Sequence, residues 1–558
     1  SCKITENQVY GMGGGIKVFE SILYLSGTSV HHNKSRNGGG GIAVGGFINS
    51  NHSMVYFNNQ ILCNIYNNLS DRCNDFIKGV NTPYIEVVVD TFTVANPDVY
   101  YLAHIAQSGV PQPDLIGISM QNNFFDSIES DLFVSPDGDN NNSGLSEEEP
   151  LQTIAHALNV IEADSLNHRT LHLANGVYSE SLNNQWFPIN AKGYVSIIGE
   201  SMGNTIIDAV ELSGFIHDRE GELDYEIKNI TLQNSIGSIF HCSMYFNDPY
   251  NSQKNVTFEN VKIKNSKVEM HQLAMLDINV QLKGVIFQDN FGGSAISFNN
   301  NSTEKVLLEN CRIINNQQWN HPRVSKARPL NFNGISTNDS NDFPEYTIIN
   351  SEINNCGNQC WEWSSSPGAI FTLWNSKINI INCTIADNST TASLGAAING
   401  HYENSIMNIY NSIIYGNTPR QITITNEYAD ESGPYILNIS HSLIQEGETQ
   451  VCDAYGGNEI NWLGGNLRED PLWFITDENR YFLSENSPCI DVGTLNLPEG
   501  IELPEFDLAG NPRIYGDGID MGAYEWNPNQ SIYDDEITII NNQFKSSNYP
   551  NPFNPITT

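Results

Sequence analysis

One short phrase recurs along this chain and constrains the fold more than any other feature. Two alternating apolar residues lead to a small polar residue, then an apolar residue, then Asn or a near equivalent. The phrase reads IKNITLQNS at 227–235, FENVKIKNS at 258–266 and LENCRIINN at 308–316. It returns as IINSEINNC (348–356), IINCTIADN (380–388), IYNSIIYGN (409–417) and ISHSLIQEG (439–447). With the phase marker at Asn229, Asn260, Gly284, Asn310, Asn350, Asn382, Asn411 and His441, the steps are 31, 24, 26, 40, 32, 29 and 30 residues. A period of about 20–50 residues with strand-like alternation is the mark of a solenoid. Asn and Gly tolerate left-handed backbone, so each short strand turns where they stand. Apolar residues of equal phase then stack into one core, and Asn of equal phase stacks as a hydrogen-bonded ladder. Such a chain grows coil by coil, so its 558 residues need not mean several domains.

The same phrase occurs near the start. SCKITEN places Cys2, Ile4 and Asn7 in phase, LSGTSVHHN (25–33) follows, and NNQILCN (58–64) is a weaker third copy. GGGI at 13–16 and GGGGI at 38–42 follow the first two copies. No GK[ST] comes after these glycines and no helical pattern begins, so they read as tight corners and close coil contacts rather than a phosphate loop. Pro83, Pro97, Pro111 and Pro113 puncture the stretch from about 84 to 130, where YIEVVVDTF (84–92) is the strong strand candidate. Pro150 and TIAHALNVI (153–161) then read as a short amphipathic helix, apolar at Leu151, Ile154, Ala157, Leu158 and Ile161. Such a helix covers the open first coil of a repeat stack. The fold expected is all-β, a right-handed parallel β-helix with a short capping helix in its second segment. Residues 1–97 are expected as the terminal coils of an upstream β-helix, 98–130 as a connector and 131–526 as the main β-helix with a closing segment.

The order VSPDG…SG…P-x-x-TI-x-x-AL…L-x-x-GVY…IIGES, across 132–201, resembles the N-terminal cap of bacterial pectin-lyase-like right-handed β-helix proteins. Proteins related to polysaccharide lyase family 9 are among them. The resemblance specifies a scaffold that carries many activities. DPLWF…RYFLSENSPCIDVG (470–493) with DLAGNPRIYGDGIDMGAYE (507–525) looks like the closing segment of secreted β-helix proteins. SNYPNPFNPITT (547–558) is similar to the first strand of a type IX secretion C-terminal sorting domain. That resemblance implies a linker at 527–547, a sorting domain starting at 548–558, the type IX machinery as a partner, and an extracellular or outer-cell-surface location.

Charge narrows the partners. With 26 Lys+Arg against 64 Asp+Glu the formal net charge is −38, which argues against nucleic acid and anionic membranes. No window holds the roughly 18–20 apolar residues of a spanning helix. Ten scattered cysteines are not a disulfide framework. Cys311 and Cys383 share a repeat position and read as buried packing, whereas Cys356 and Cys360 have the spacing of a local bridge.

Lyases on such a scaffold need a basic residue as general base, and often calcium, to act beside a sugar carboxylate. The densest basic cluster, WNHPRVSKARP (319–329), supplies Arg323, Lys326 and Arg328 as catalytic candidates inside the longest step of the repeat. Trp319, His321, Trp361, Trp363 and Trp374 are candidate sugar contacts, Trp361 and Trp363 sharing a strand face at period two. DGDNNNSG (137–144) partly resembles an Asp-rich calcium loop, with Asp137, Asp139 and Asn141 as candidate ligands, but lacks a closing Glu. The NTD, DD and GHG signatures of polygalacturonase-like enzymes are not present in order. The leading expectation is a secreted or cell-surface β-helix that binds carbohydrate (a polysaccharide or cell-surface glycan) or acts as an adhesive surface protein. The alternative is a polysaccharide lyase or glycoside hydrolase acting on an acidic polysaccharide.

Overall fold

The computed structural model describes residues 2–45, 53–79, 82–105, 111–112, 116–210, 217–218, 224–236, 240–242, 255–276, 278–300, 304–318, 330–334, 343–358, 368–391, 394–401, 404–426, 433–476 and 480–528. Strands one coil apart stack side by side. Twenty form one sheet, from Leu132–Val134 to Glu459–Trp462, and twelve a second, from His217–Asp218 to Val451–Asp453. Every strand in these two sheets pairs in parallel with its neighbours. The chain is a right-handed parallel β-helix, the hand that parallel crossovers almost always take.

The repeat phrase explains the coil. All eight phase markers hold positive φ, from 44° at His441 to 62° at Gly284. Five residues later a second left-handed residue follows in each copy: Asn234, Asn265, Asp289, Asn315, Asn355, Asp387, Gly416 and Glu446. The strand between these two turns is therefore short. Just before the first turn, Ile227, Phe258, Leu282, Leu308, Ile348, Ile380, Ile409 and Ile439 pair in unbroken register. All eight side chains are fully buried. Burying each contributes about 1.5–3 kcal/mol relative to leaving it exposed.

Polar ladders run beside this apolar column. Asn290 donates to Asn316 Oδ1 through its backbone N (3.2 Å) and Nδ2 (3.0 Å), and Asn388 does the same to Asn417 (3.0 and 2.9 Å). Buried amides satisfied in this way stabilise one register over its neighbours. Cys311 and Cys383 sit in core positions, where burial pushes both thiols up to about 12. Their backbone amides donate to Ser351 Oγ (3.0 Å) and Ser412 Oγ (3.1 Å) of the next coil. Cys356 is a free, buried thiol, and Cys360 lies outside the described residues.

The first residues are coils as well. Cys2–Thr5 pairs with Thr28–His31, which pairs with Cys63–Tyr66. The glycine runs allow close approach: a Cβ on Gly14 would lie 2.3 Å from Gly40 O, and one on Gly40 2.4 Å from Leu69 O. Stacking then continues into the stretch expected as a connector. Leu102–Ile105 pairs with Phe76–Lys78, and Ile116–Ser119 with the start of Ile85–Phe92.

The helix Ile154–Val160 is where its pattern placed it, with Thr153 Oγ1 accepting from His156 N at 3.2 Å. Leu151, Ile154, Ala157, Leu158 and Ile161 are all buried. Both sides of this helix are covered. Asn74 Nδ2 and Tyr101 OH of the N-terminal coils donate to Asn159 Oδ1 (3.2 Å) and O (2.9 Å). Lys192 Nζ bridges Tyr101 OH (3.1 Å) and Ile161 O (2.9 Å). One apolar cluster consequently runs from the N-terminal coils into the main β-helix.

The closing segment doubles back along the outer Asn turns. Asn350, Asn382 and Asn411 donate to Phe506 O (2.9 Å), Asp520 O (2.9 Å) and Thr494 O (2.8 Å). Residues 529–558, with most of the expected linker and the whole sorting segment, lie outside the described residues. No described helix is long and apolar enough to cross a membrane.

Candidate functional site

Where the coils carry outward residues of one phase, outward-facing rows form along the solenoid. Alternation in Asn255–Lys264, Asn279–Lys283, Lys305–Glu309 and Glu345–Ile349 sends Val256, Val280, Val306 and Tyr346 inward. Their neighbours face out. One row runs Asn255, Asn279, then Lys305, Glu345 and Lys377; a second runs Thr257, Gln281, Leu307, Thr347 and Asn379. The second row continues as an amide ladder. Asn408 donates to Asn379 Oδ1 (2.9 Å), Asn438 to Asn408 Oδ1 (2.9 Å) and Asn461 to Asn438 Oδ1 (3.0 Å).

The closing segment turns part of this open face into a groove. Glu499–Glu502 stands over the four strands and encloses a volume of about 670 Å³. In the groove, Asn279 Nδ2 reaches Asn255 Oδ1 (3.3 Å), and Asn279 Oδ1 accepts from Lys305 N (2.9 Å). Glu345 is tied to Lys377 Nζ (2.9 Å) and to Asn379 Nδ2 (3.1 Å). Glu309, Glu345, Glu499 and Glu502 line the groove against Lys305. Among the described residues the lining is thus acidic and amide-rich, with no aromatic ring. Strands about 4.7–4.9 Å apart repeat these groups at close to the length of one sugar in an extended chain.

The candidates named from sequence are distributed differently. Trp319, His321, Arg323, Lys326, Arg328, Trp361 and Trp363 lie outside the described residues. Trp374 is half-buried at a corner with φ 31°, and its carbonyl accepts from Ser376 Oγ at 2.7 Å. Asp139 Oδ1 is engaged by its own turn, accepting from Asn141 N (2.9 Å) and Asn141 Nδ2 (2.8 Å). Asn141 therefore presents N–H groups, not its oxygen, to Asp139. The Asp137 backbone N donates to Ser135 Oγ at 3.3 Å. Among the described residues, no three acidic, His or Cys side chains gather as a metal site.

The sequence reading did not find the groove. Its outward rows were legible from alternation, but the wall at 499–502 comes from a segment about 150–250 residues further along the chain. No local pattern marks that return.

Residues 136–356 match the profile of a family described as proteins of unknown function, DUF1565. No curated protein matches the chain in sequence. Among solved structures, pectate lyase Pel9A aligns at 13% identity over 72% of this chain and 98% of its own, with a TM-score of 0.32. XylC in complex with xylose aligns at 10% identity over 62% and 88%, TM-score 0.30. A pectin methylesterase from carrot aligns at 12% over 60% and 90%, TM-score 0.24.

Proposed function

We propose that this chain is a secreted β-helix that binds a polysaccharide along the outer face of its long sheet, under the 499–502 wall. One observation carries the reading: a groove crossing four coils, lined by in-register rows of amides, hydroxyls and charged groups in which Leu307 stands between Gln281 and Thr347. Polar rows repeating once per coil suit a repeating polymer better than a compact metabolite. The acidic lining disfavours a polyuronate and favours a neutral or amine-bearing chain.

Thr347 faces the groove from a strand whose alternate residues form the core, so Thr347→Trp fills the groove without touching packing. Retention of the chain on neutral polymers (xylan, glucomannan) and on amine-bearing chitosan is measured by affinity electrophoresis, with pectate as the acidic control. The expected result is binding to at least one neutral or amine-bearing polymer, weakened roughly tenfold or more by Thr347→Trp. Tighter binding to pectate, or no effect of the substitution, would overturn the reading. Ultraviolet absorbance of the same mixtures reads out unsaturated ends and so tests the lyase alternative.

Export through the type IX route is part of the same proposal and is supported by the resemblance at 547–558. Deleting everything after Trp526 should leave a folded chain in the periplasm. Arrival of the truncated chain at the cell surface would refute that route.

A further inference from the structure

A strand sends successive side chains to opposite faces, yet two neighbouring histidines of the second coil meet nitrogen to nitrogen. His31 ends the strand Thr28–His31, in register with Thr5 of the coil before it and Tyr66 of the coil after. His32 is left-handed at φ 55°, and that turn brings its ring round to the side of His31. The two Nδ1 atoms lie 2.6 Å apart. Two bare imidazole nitrogens repel at that distance, so the gap holds either a proton or a cation. Thr5 Oγ1, 3.3 Å from His31 Nδ1, adds a third polar atom beside the pair.

Both rings are held in place. His31 stacks on Tyr66 with centroids 4.7 Å apart and Tyr66 on Phe124 at 4.3 Å, while His32 meets Tyr66 and Phe124 edge-on. The far nitrogen of His32, Nε2, is 3.0 Å from Asn67 Nδ2 at the same turn of the next coil. Turning that amide end for end puts its oxygen on an Nε2–H, the tautomer that leaves Nδ1 bare. Metal-bound histidines almost always have such an acceptor on the other ring nitrogen. Glu6 stands at the corresponding turn of the first coil, left-handed at φ 60° and exposed. Its carboxylate acts on both rings, against Lys3 on both and Lys34 on His32.

We propose that His31 Nδ1 and His32 Nδ1 chelate a divalent transition-metal ion of the zinc class, with the Glu6 carboxylate swinging in as third ligand and water as fourth. Zinc–imidazole bonds of about 2.0–2.1 Å set two such nitrogens about 3.3 Å apart, so the pair opens by about 0.7 Å. Imidazole suits zinc, copper and nickel, whereas calcium takes oxygen ligands. The strand Cys2–Thr5 pairs with one neighbour alone among the described residues, and the ion fastens its coil to the coil behind it.

The test is isothermal titration of the whole chain with zinc chloride, beside calcium chloride as a control for the acidic surface. One zinc per chain is expected at the site, raising the melting temperature and slowing hydrogen exchange in residues 2–35. His31→Phe keeps the stack on Tyr66, and His32→Asn keeps a residue that tolerates the left-handed turn. Each should weaken zinc roughly tenfold or more, and Glu6→Gln should weaken it less, with calcium unaffected. Cobalt in place of zinc should give visible bands without the intense near-ultraviolet absorbance of thiolate ligation, which separates the site from the exposed Cys2. Three results would each overturn the site: zinc bound no more tightly than calcium, a thiolate band, or unchanged zinc affinity in both histidine variants. No effect of Glu6→Gln would overturn its place as third ligand.

Discussion

Asn411 shows why one side chain recurs at the outer turn. Its φ of 49° is left-handed, where a branched or bulky residue is strained by about 1–2 kcal/mol. Its side chain then works in three directions. Nδ2 donates to Asn382 Oδ1 (3.2 Å) and Thr494 O (2.8 Å), while Oδ1 accepts from Thr494 N (2.7 Å). Asn411→Ala should therefore lose about 3 kcal/mol in urea unfolding, combining backbone strain with hydrogen bonds worth about 0.5–1.5 kcal/mol each. Asn411→Gly keeps the backbone freedom and should lose only the hydrogen-bond share. Equal losses in the two variants would mean that the left-handed turn contributes nothing. This position was legible in sequence because Asn, Gly and His at one phase share that conformational tolerance. The second turn was less legible: Glu446 is left-handed at φ 57° without any intrinsic preference for it, held there by the stack.

At the scale of elements, the closing segment is fastened by a buried cluster of acids around Arg513 in the dry flank of the coils. Arg513 Nη2 lies 2.6 Å from Glu525 Oε1, and its Nη1 donates to Asn350 Oδ1 at 2.7 Å. Glu352, in the coil beneath, accepts from Arg312 Nε (2.9 Å) and Tyr524 OH (2.9 Å). Around Arg513 stand three carboxylates, Asp507, Asp520 and Glu525, all buried. Burial pushes Glu525 up to about 8 and Asp520 up to about 6, although Arg513 pulls both down. An acid whose folded value is raised keeps its proton in the folded state after the unfolded chain has released it near about 4. Its contribution to stability is complete below that value and is lost as pH rises through about 6 and then about 8. Residues 480–526 should accordingly resist limited proteolysis better at pH 5 than at pH 8.5, and Glu525→Gln should flatten the upper part of that dependence. A pH profile identical in the variant would remove Glu525 from the account. The cap helix was legible because its start signal and apolar face are local, and all five predicted apolar residues are buried. The return of the closing segment was not: Arg513 and Asn350 are 163 residues apart, and nothing near either one encodes the other.

For the molecule as a whole, coil-on-coil stacking means that stability is a chain of neighbour contacts rather than one central core. The parallel registers follow directly from the repeat, whereas the extra pairing of Leu102–Ile105 escaped the sequence reading because prolines interrupt its pattern. Two features modify simple nearest-neighbour behaviour. The cap helix joins the N-terminal coils to the main β-helix through Asn159 and Lys192, and the closing segment ties coils from Asn350 to Asn411 to one another. Ile380→Ala tests which coupling dominates. Ile380 is fully buried between Ile348 and Ile409, so its truncation should cost about 2–5 kcal/mol. Hydrogen exchange read by mass spectrometry should then lose protection in the coils from about 345 to 415, because each coil holds its neighbours in register. The closing segment should lose protection with them, since Asn382 and Asn411 dock it onto those same coils. Residues 16–78 should keep their wild-type protection, being separated from the lesion by the cap and by the first coils of the main β-helix. If protection fell evenly along the whole chain, the β-helix would be a single cooperative unit and the neighbour-contact account would fail. If the coils opened while 480–526 stayed protected, the buried cluster around Arg513 would be holding the closing segment without the coils beneath it.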